Sequence, residues 1–313
     1  MKTKAEVTIK NRVQKKDKRF YDIEGDLLPS VTTILTVIAK PALMNWAAKV
    51  EREMVLKVAC DLHVDSANIK PPMTGAAWLL TMNARLGKEK ASAKELAKAG
   101  DIGTQCHELI EWTLRGELMQ EVGPSPKISD AAQWAFMSWQ DWRRAVNLKV
   151  VAVEQVVFSE KYRYAGTLDL VAYVNDVLTV LDWKTGKAVY SEAHLQNAAL
   201  RQALREMGHG DPKQGLIVRL PKVETDPYFE VVEAKPEELM FPKFLDAKSV
   251  WTWAQEMDSE YQAKQKPPEQ NIEKTLTESI ATRKAELQIE AKNFALETDG
   301  AQEGYKSESL GDA

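Results

Sequence analysis

Cysteine is scarce in this sequence, with only Cys60 and Cys106 among 313 residues. Two thiols cannot supply a disulfide framework, a four-cysteine zinc site or an iron–sulfur cluster. Long apolar runs are missing as well; none reaches the roughly 18 residues of a membrane span. The first residues, with Lys2, Lys4 and Glu6 ahead of a basic run, lack the apolar core of a signal peptide. A cytoplasmic protein without membrane contact is expected. A phosphate loop is absent too. "KTGKA" at 184–188 has neither the upstream glycine nor the hydroxyl residue after its lysine, so no nucleotide cofactor is expected. "HELIE" at 107–111 carries Glu111 where a zinc peptidase helix needs a second histidine.

What is present is an ordinary globular composition, 44% hydrophobic and 28% charged, with a net charge of −4. That charge is unevenly spread. Residues 269–313 hold ten acidic and five basic side chains, leaving the rest of the chain at +1. Residues 1–20 alone carry eight Lys/Arg against Glu6 and Asp17. A near-neutral body with a basic arm is compatible with a polyanionic partner and does not demand one; a solvated charged arm has the same composition.

Periodicity divides the chain into four parts: a basic arm, short hairpin and helical region over 1–98; a core over 99–235; a helix over 236–263 opened by Pro242; and a polar acidic tail over 264–313, largely disordered or a charged helix. Within the core, residues 100–117 read as an amphipathic helix, and Ser129 caps another. Ala132, Ala135, Trp139, Trp142 and Val146 make a stripe at helical spacing that belongs in a core. Strands follow at 150–158, 164–174 and 177–184, the last two joined by the turn Asn175-Asp176. A helix over 191–207 and strands at 215–220 and 228–234 complete an α/β fold.

Three charged residues interrupt these apolar strands. Side chains at i and i+2 share a face, so Asp182 and Lys184 point the same way and Trp183 points to the other side. Counting outward from the turn at 175–176 sets Asp169 opposite Asp182. Facing carboxylates destabilise a hairpin unless something neutralises them. Lys184 does so in part, and a hard divalent cation, Mg²⁺ or Mn²⁺, does so fully while supplying Lewis acidity for phosphodiester hydrolysis. A bare D-x-K tripeptide is often an ordinary ion pair; the facing Asp169 and the apolar flanks favour the metal site. Lys187, Arg163, Arg201 and Arg205 flank these residues in sequence and are candidate phosphate contacts, with Arg201 and Arg205 paired at i, i+4.

The run "GTLDLV…VLDWKTG…HLQNAALRQAL", together with "GTQCHELIE" at 103–111, resembles the PD-(D/E)XK nuclease superfamily, in particular its RecB-like and phage-type exonuclease branch lacking an iron–sulfur cluster. The resemblance covers about residues 100–205. It implies a restriction-endonuclease-like core: a helix, a three-stranded antiparallel meander, a helix and further strands, with flanking helices from both termini. It implies Asp169, Asp182, the Trp183 carbonyl and His107 as metal ligands, Lys184 as catalytic lysine and Gln196 as organiser of the site. Glu154 stands where many members carry a strand glutamate near the metals. The branch has tyrosine four residues after the glutamine, where this chain has Leu200.

The expected activity is that of a metal-dependent deoxyribonuclease, an exonuclease acting on DNA ends in phage or bacterial recombination, repair or genome processing. A structure-specific endonuclease and a catalytically idle nucleic-acid-binding subunit are the alternatives. DNA is the expected partner, with a recombination or single-strand-binding protein as a further one through the tail.

Overall fold

Turn chemistry and alternation determine where the strands lie. In the computed structural model, which describes residues 9–15, 18–66, 74–226, 228–265 and 279–289, the chain opens with a small antiparallel sheet of β1 (Ile9–Lys15), β2 (Lys18–Ile23) and β3 (Asp26–Pro29). Glu24 and Gly25, both at positive φ (53° and 93°), turn β2 into β3. The expected basic arm is therefore strand from Ile9 onward, and residues 1–8 lie outside the described residues. Ser30 then caps α1 (Val31–Ile34), its Oγ accepting from the Thr33 N–H at 3.0 Å. The helix expected from Val31 lasts one turn before tightening into a 3₁₀ turn through Val37.

Long helices follow: α2 (Pro41–Ser66), α3 (Gly75–Leu86), α4 (Ala91–Glu117) and α5 (Asp130–Ala145). Helix α4 starts at Ala91, not residue 100, so the expected boundary at 98/99 falls inside one helix. Gly100 sits on an exposed face, where its cost of about 1 kcal/mol is spread over a long helix. Ser129 occupies the N-cap position of α5 without a side-chain cap bond. Ala132, Ala135, Trp139 and Trp142 are buried, as the stripe implied, whereas Val146, its fifth member, is half-buried at the extended C-cap.

The main sheet has the order β4-β5-β6-β7-β8, formed by β4 (Leu148–Ser159), β5 (Tyr164–Val174), β6 (Val177–Lys184), β7 (Gln214–Arg219) and β8 (Glu230–Glu233). Only β6 and β7 are parallel, and α6 (Ser191–Glu206) makes the crossover between them. Asn175 and Asp176 both take positive φ, 48° and 65°, the two-residue turn whose twist suits a hairpin. One face of the sheet packs on α4 and α5, where the Trp183 ring meets Trp142 edge-on at 5.1 Å and Trp139 at 6.4 Å. The other face packs on α1, α6 and the first turns of α7 (Glu237–Gln265) through Leu200, Leu204, Phe244 and Trp251.

Helix α7 begins at Glu237, ahead of Pro242. The proline sits inside the helix, where its missing N–H costs one bond to the carbonyl four residues back. By contacts the chain divides into two units, Met1–Thr252 and Trp253–Ala313; in the second, the described residues are the end of α7 and a helix at 279–289. No single helix among the described residues is long and apolar enough to cross a membrane.

Candidate active site

Three neighbouring strands each bring one carboxylate to the same level of the sheet. The pairs Val153↔Leu170 and Gln155↔Leu168 flank Glu154 and Asp169, which therefore stand opposite each other across β4 and β5. On the other side, β5 and β6 pair up to Leu170↔Leu181, and the next step brings Asp169 and Asp182 face to face. The ladder ends there because Asp169 replaces a backbone partner: its Oδ2 accepts from the Trp183 N–H at 2.7 Å. In a strand the N–H and C=O of one residue face the same neighbour, so the Trp183 carbonyl is also directed to the Asp169 side.

Each carboxylate is held differently. Asp182, 3% exposed, meets Lys184 Nζ at 2.6 Å and accepts from Gln196 Nε2 at 3.1 Å. Lys184 in turn donates to Gln196 Oε1 at 3.2 Å, so lysine, glutamine and aspartate close a triangle. Burial pushes the Asp182 carboxyl up, opposed by Lys184 and reinforced by Asp169. Burial alone would lower the Lys184 ammonium; the Asp182 and Asp169 carboxylates outweigh it and raise its pKa, so it stays protonated.

Glu154 has φ 49°, a left-handed conformation that costs a residue with a Cβ about 1–2 kcal/mol. The strained turn of β4 aims its carboxyl into the row. Burial, then Asp169 and Glu111, push that carboxyl up to about 8 against the opposing pull of Arg12 and Arg115.

Helix α4 closes the site. His107 Nδ1 lies 3.7 Å from Asp169 Oδ2. One ligand atom each from His107, Glu154 and Asp169 falls within 4.8 Å of the others. Close approach requires the glycine before them: a Cβ on Gly103 would sit 2.9 Å from Thr185 Oγ1, just past the end of β6. Imidazole plus two carboxylates is a donor set that fits a divalent ion such as Mn²⁺, which accepts nitrogen as well as oxygen, or the harder Mg²⁺. Asp182 lines the same cleft, of about 430 Å³, but spends its oxygens on Lys184 and Gln196.

A profile of the PD-(D/E)XK nuclease superfamily matches residues 75–296. The chain belongs to this superfamily. Its members are nucleases that use divalent metals, which agrees with the cluster of acidic and imidazole ligands. No curated protein matches the chain. Solved structures similar to it include an alkaline exonuclease (LHK-Exo) from Laribacter hongkongensis, at 12% identity and a TM-score of 0.30, covering 58% of this chain and 88% of that one. LHK-Exo in complex with dAMP aligns at 13% identity and a TM-score of 0.28, covering 53% and 89%.

The superfamily member departs from expectation at its arginines. Arg201, a candidate phosphate contact by sequence, is buried, with Nη2 donating to the Pro212 carbonyl at 3.2 Å and Nε 3.3 Å from Glu237. Arg205 is bound by Asp211 and, with two hydrogen bonds, by Glu237. Both lie on the side of α6 turned away from the cleft, because Gln196 and Leu200 take the inner side. Arg163 pairs with Asp26 at 3.0 Å, outside the cleft lining. Lys187 is exposed in the loop after β6.

Sequence reasoning missed the opposite wall. Arg12 and Arg19, from β1 and β2, line the cleft facing the carboxylates, with Tyr21 and the α4 residues Thr104, Glu108 and Glu111. Burial and the neighbouring Arg12 hold Arg19 below its ordinary value, against the opposing pull of Tyr21 and Glu154. Nothing in local spacing signals this, since only the docking of the small sheet brings these arginines to the cleft. Leu200 fills the position where the branch carries tyrosine and is buried against Gly166 and Val31.

Proposed function

We propose that this protein is a metal-dependent deoxyribonuclease, acting as an exonuclease at DNA ends in recombination, repair or genome processing. The observation that carries the reading is the row Glu154–Asp169–Asp182 with Lys184 and His107 at one cleft of a PD-(D/E)XK nuclease. His107, Glu154 and Asp169 would hold the metal, with Asp182 and the Trp183 carbonyl beside them; the ion supplies Lewis acidity to a bound phosphate oxygen.

The chain's own groups do the rest. The Lys184 ammonium, kept charged by Asp182, stabilises negative charge developing on the phosphate. Gln196 fixes the rotamers of both partners through its two hydrogen bonds. Arg12 and Arg19 receive the flanking phosphates as charge-assisted donors. What favours the exonuclease form is the branch resemblance of the 103–111 segment, whose His107 reaches the carboxylates.

The test is digestion of end-labelled linear and closed-circular DNA with Mg²⁺ or Mn²⁺. Loss of linear DNA alone, with label released first from one end, supports the exonuclease. Cutting of the circle would overturn that form in favour of an endonuclease.

A further inference from the structure

Beside the polar cleft runs a second depression of opposite character, about 810 Å³ in volume. Its walls include Leu43, Met44 and Trp46 from α2, Leu96 from α4 and Tyr190 just before α6. Met44, Leu96 and Tyr190 are 69%, 51% and 55% exposed, so the apolar side of the groove is open to a ligand. The two depressions are continuous: Thr32, Lys184 and Gln196 line both. The rim carries one ion pair, Lys40 with Glu192 at 2.7 Å.

We infer that this groove takes the unstacked bases of a single DNA strand whose phosphate lies at Lys184. The inference rests on the nuclease reading above and adds to it a preference for an unpaired strand. A polynucleotide alternates anionic phosphates with apolar ring faces, and the protein sets a cationic, polar cleft directly against an apolar, aromatic-lined groove. In a duplex the ring faces are covered by their neighbours, so only a strand with its bases splayed out offers surface that fills such a groove. Trp46 and Tyr190 supply the ring faces on which bases stack, and Leu43, Met44 and Leu96 supply sequence-tolerant apolar contact. Strand separation at a duplex end, or a substrate already single-stranded, follows as the condition for reaching the metal cluster.

Binding in EDTA separates this inference from cleavage. A short fluorescein-labelled oligothymidylate is titrated with the full chain and followed by anisotropy, against an abasic oligomer of equal length and a blunt duplex. Trp46→Leu and Tyr190→Leu, which keep apolar bulk and lose the ring, should each weaken oligothymidylate binding roughly 5- to 150-fold and leave the abasic oligomer unchanged. Trp46→Phe and Tyr190→Phe should bind as the native chain does. Equal losses on the abasic oligomer or the duplex would overturn the inference. So would native-like binding by the leucine variants, or light scattering showing a dimer that Trp46→Leu dissociates, since a second copy would then occupy the groove. Cleavage without base-dependent binding would sink only the groove; base-dependent binding without cleavage in Mg²⁺ or Mn²⁺ would sink only the nuclease.

Discussion

Lys184→Met removes an ammonium while keeping most of its stem. In the native chain Nζ lies 2.6 Å from Asp182 Oδ2, with the two side chains 31% and 5% exposed. Without it, Asp182 is a buried carboxylate facing Asp169, with only the Gln196 amide in support. Breaking a buried ion pair from one side costs about 3–5 kcal/mol. Because the Lys184 end of the native pair is partly exposed, water already weakens the pair, and about 2–3 kcal/mol is the expected loss near neutral pH. The double variant Asp182→Asn/Lys184→Met removes both charges and should recover about 1–2 kcal/mol relative to the sum of the single changes.

The pH dependence has a definite sign. Burial raises the Asp182 carboxyl above its unfolded value, and loss of Lys184 raises it further. Stability from such a group is complete below the unfolded value, about 3.9, and is lost as pH rises through the folded one. The Lys184→Met deficit should therefore be small near pH 4 and grow toward neutrality. Urea unfolding in EDTA at both ends of that range, with m-values compared, measures it. Additive single variants, or a deficit independent of pH, would refute the buried-pair account.

Other consequences are equally open to measurement. Glu154, pushed up to about 8, stabilises the metal-free protein while protonated, so the melting temperature should fall as pH rises through about 8; Glu154→Gln should flatten that fall, and an unchanged slope would show that Glu154 is not responsible. Mn²⁺ should raise the native melting temperature more at the alkaline end, where the ligand carboxyl has already lost its proton. Leu200→Tyr puts a ring where Leu200 Cδ2 already packs so closely on Gly166 that a Cβ on the glycine would meet it at 2.5 Å; overpacking of about 1–3 kcal/mol is expected in urea unfolding. Arg19→Ala should weaken DNA binding and lower the salt slope by about 1, whereas Arg205→Ala, with its partners Glu237 and Asp211, should lower stability and leave that slope alone.

The strand and helix order of the core was legible because local signals agreed there. Asn175-Asp176 named the hairpin, and the count outward from it brought Asp169 to Asp182 through a ladder with no bulge in between. The Trp139 and Trp142 stripe declared itself by period alone. What was illegible depends on distant parts of the chain meeting. Arg12 and Arg19 reach the cleft only through the docking of the small sheet, and Arg201 is silenced by Glu237, far along the chain. The left-handed turn at Glu154 carries no sequence mark, because glutamate is not a residue chosen for that conformation. The start of α4 was misjudged because Gly100 reads as a break, whereas on an exposed helical face it is tolerated.

The central claim is that the carboxylate row, His107 and Lys184 form one metal-dependent centre for cutting DNA. The direct measurement is release of nucleotides from labelled linear DNA by the native chain, Asp169→Asn, Asp182→Asn and Lys184→Met, each in Mg²⁺, Mn²⁺ and EDTA. The account expects release by the native chain in either metal, none in EDTA, and loss by at least about a hundredfold in every variant. Release that persists in EDTA, or a Lys184→Met variant as fast as the native chain, would contradict it.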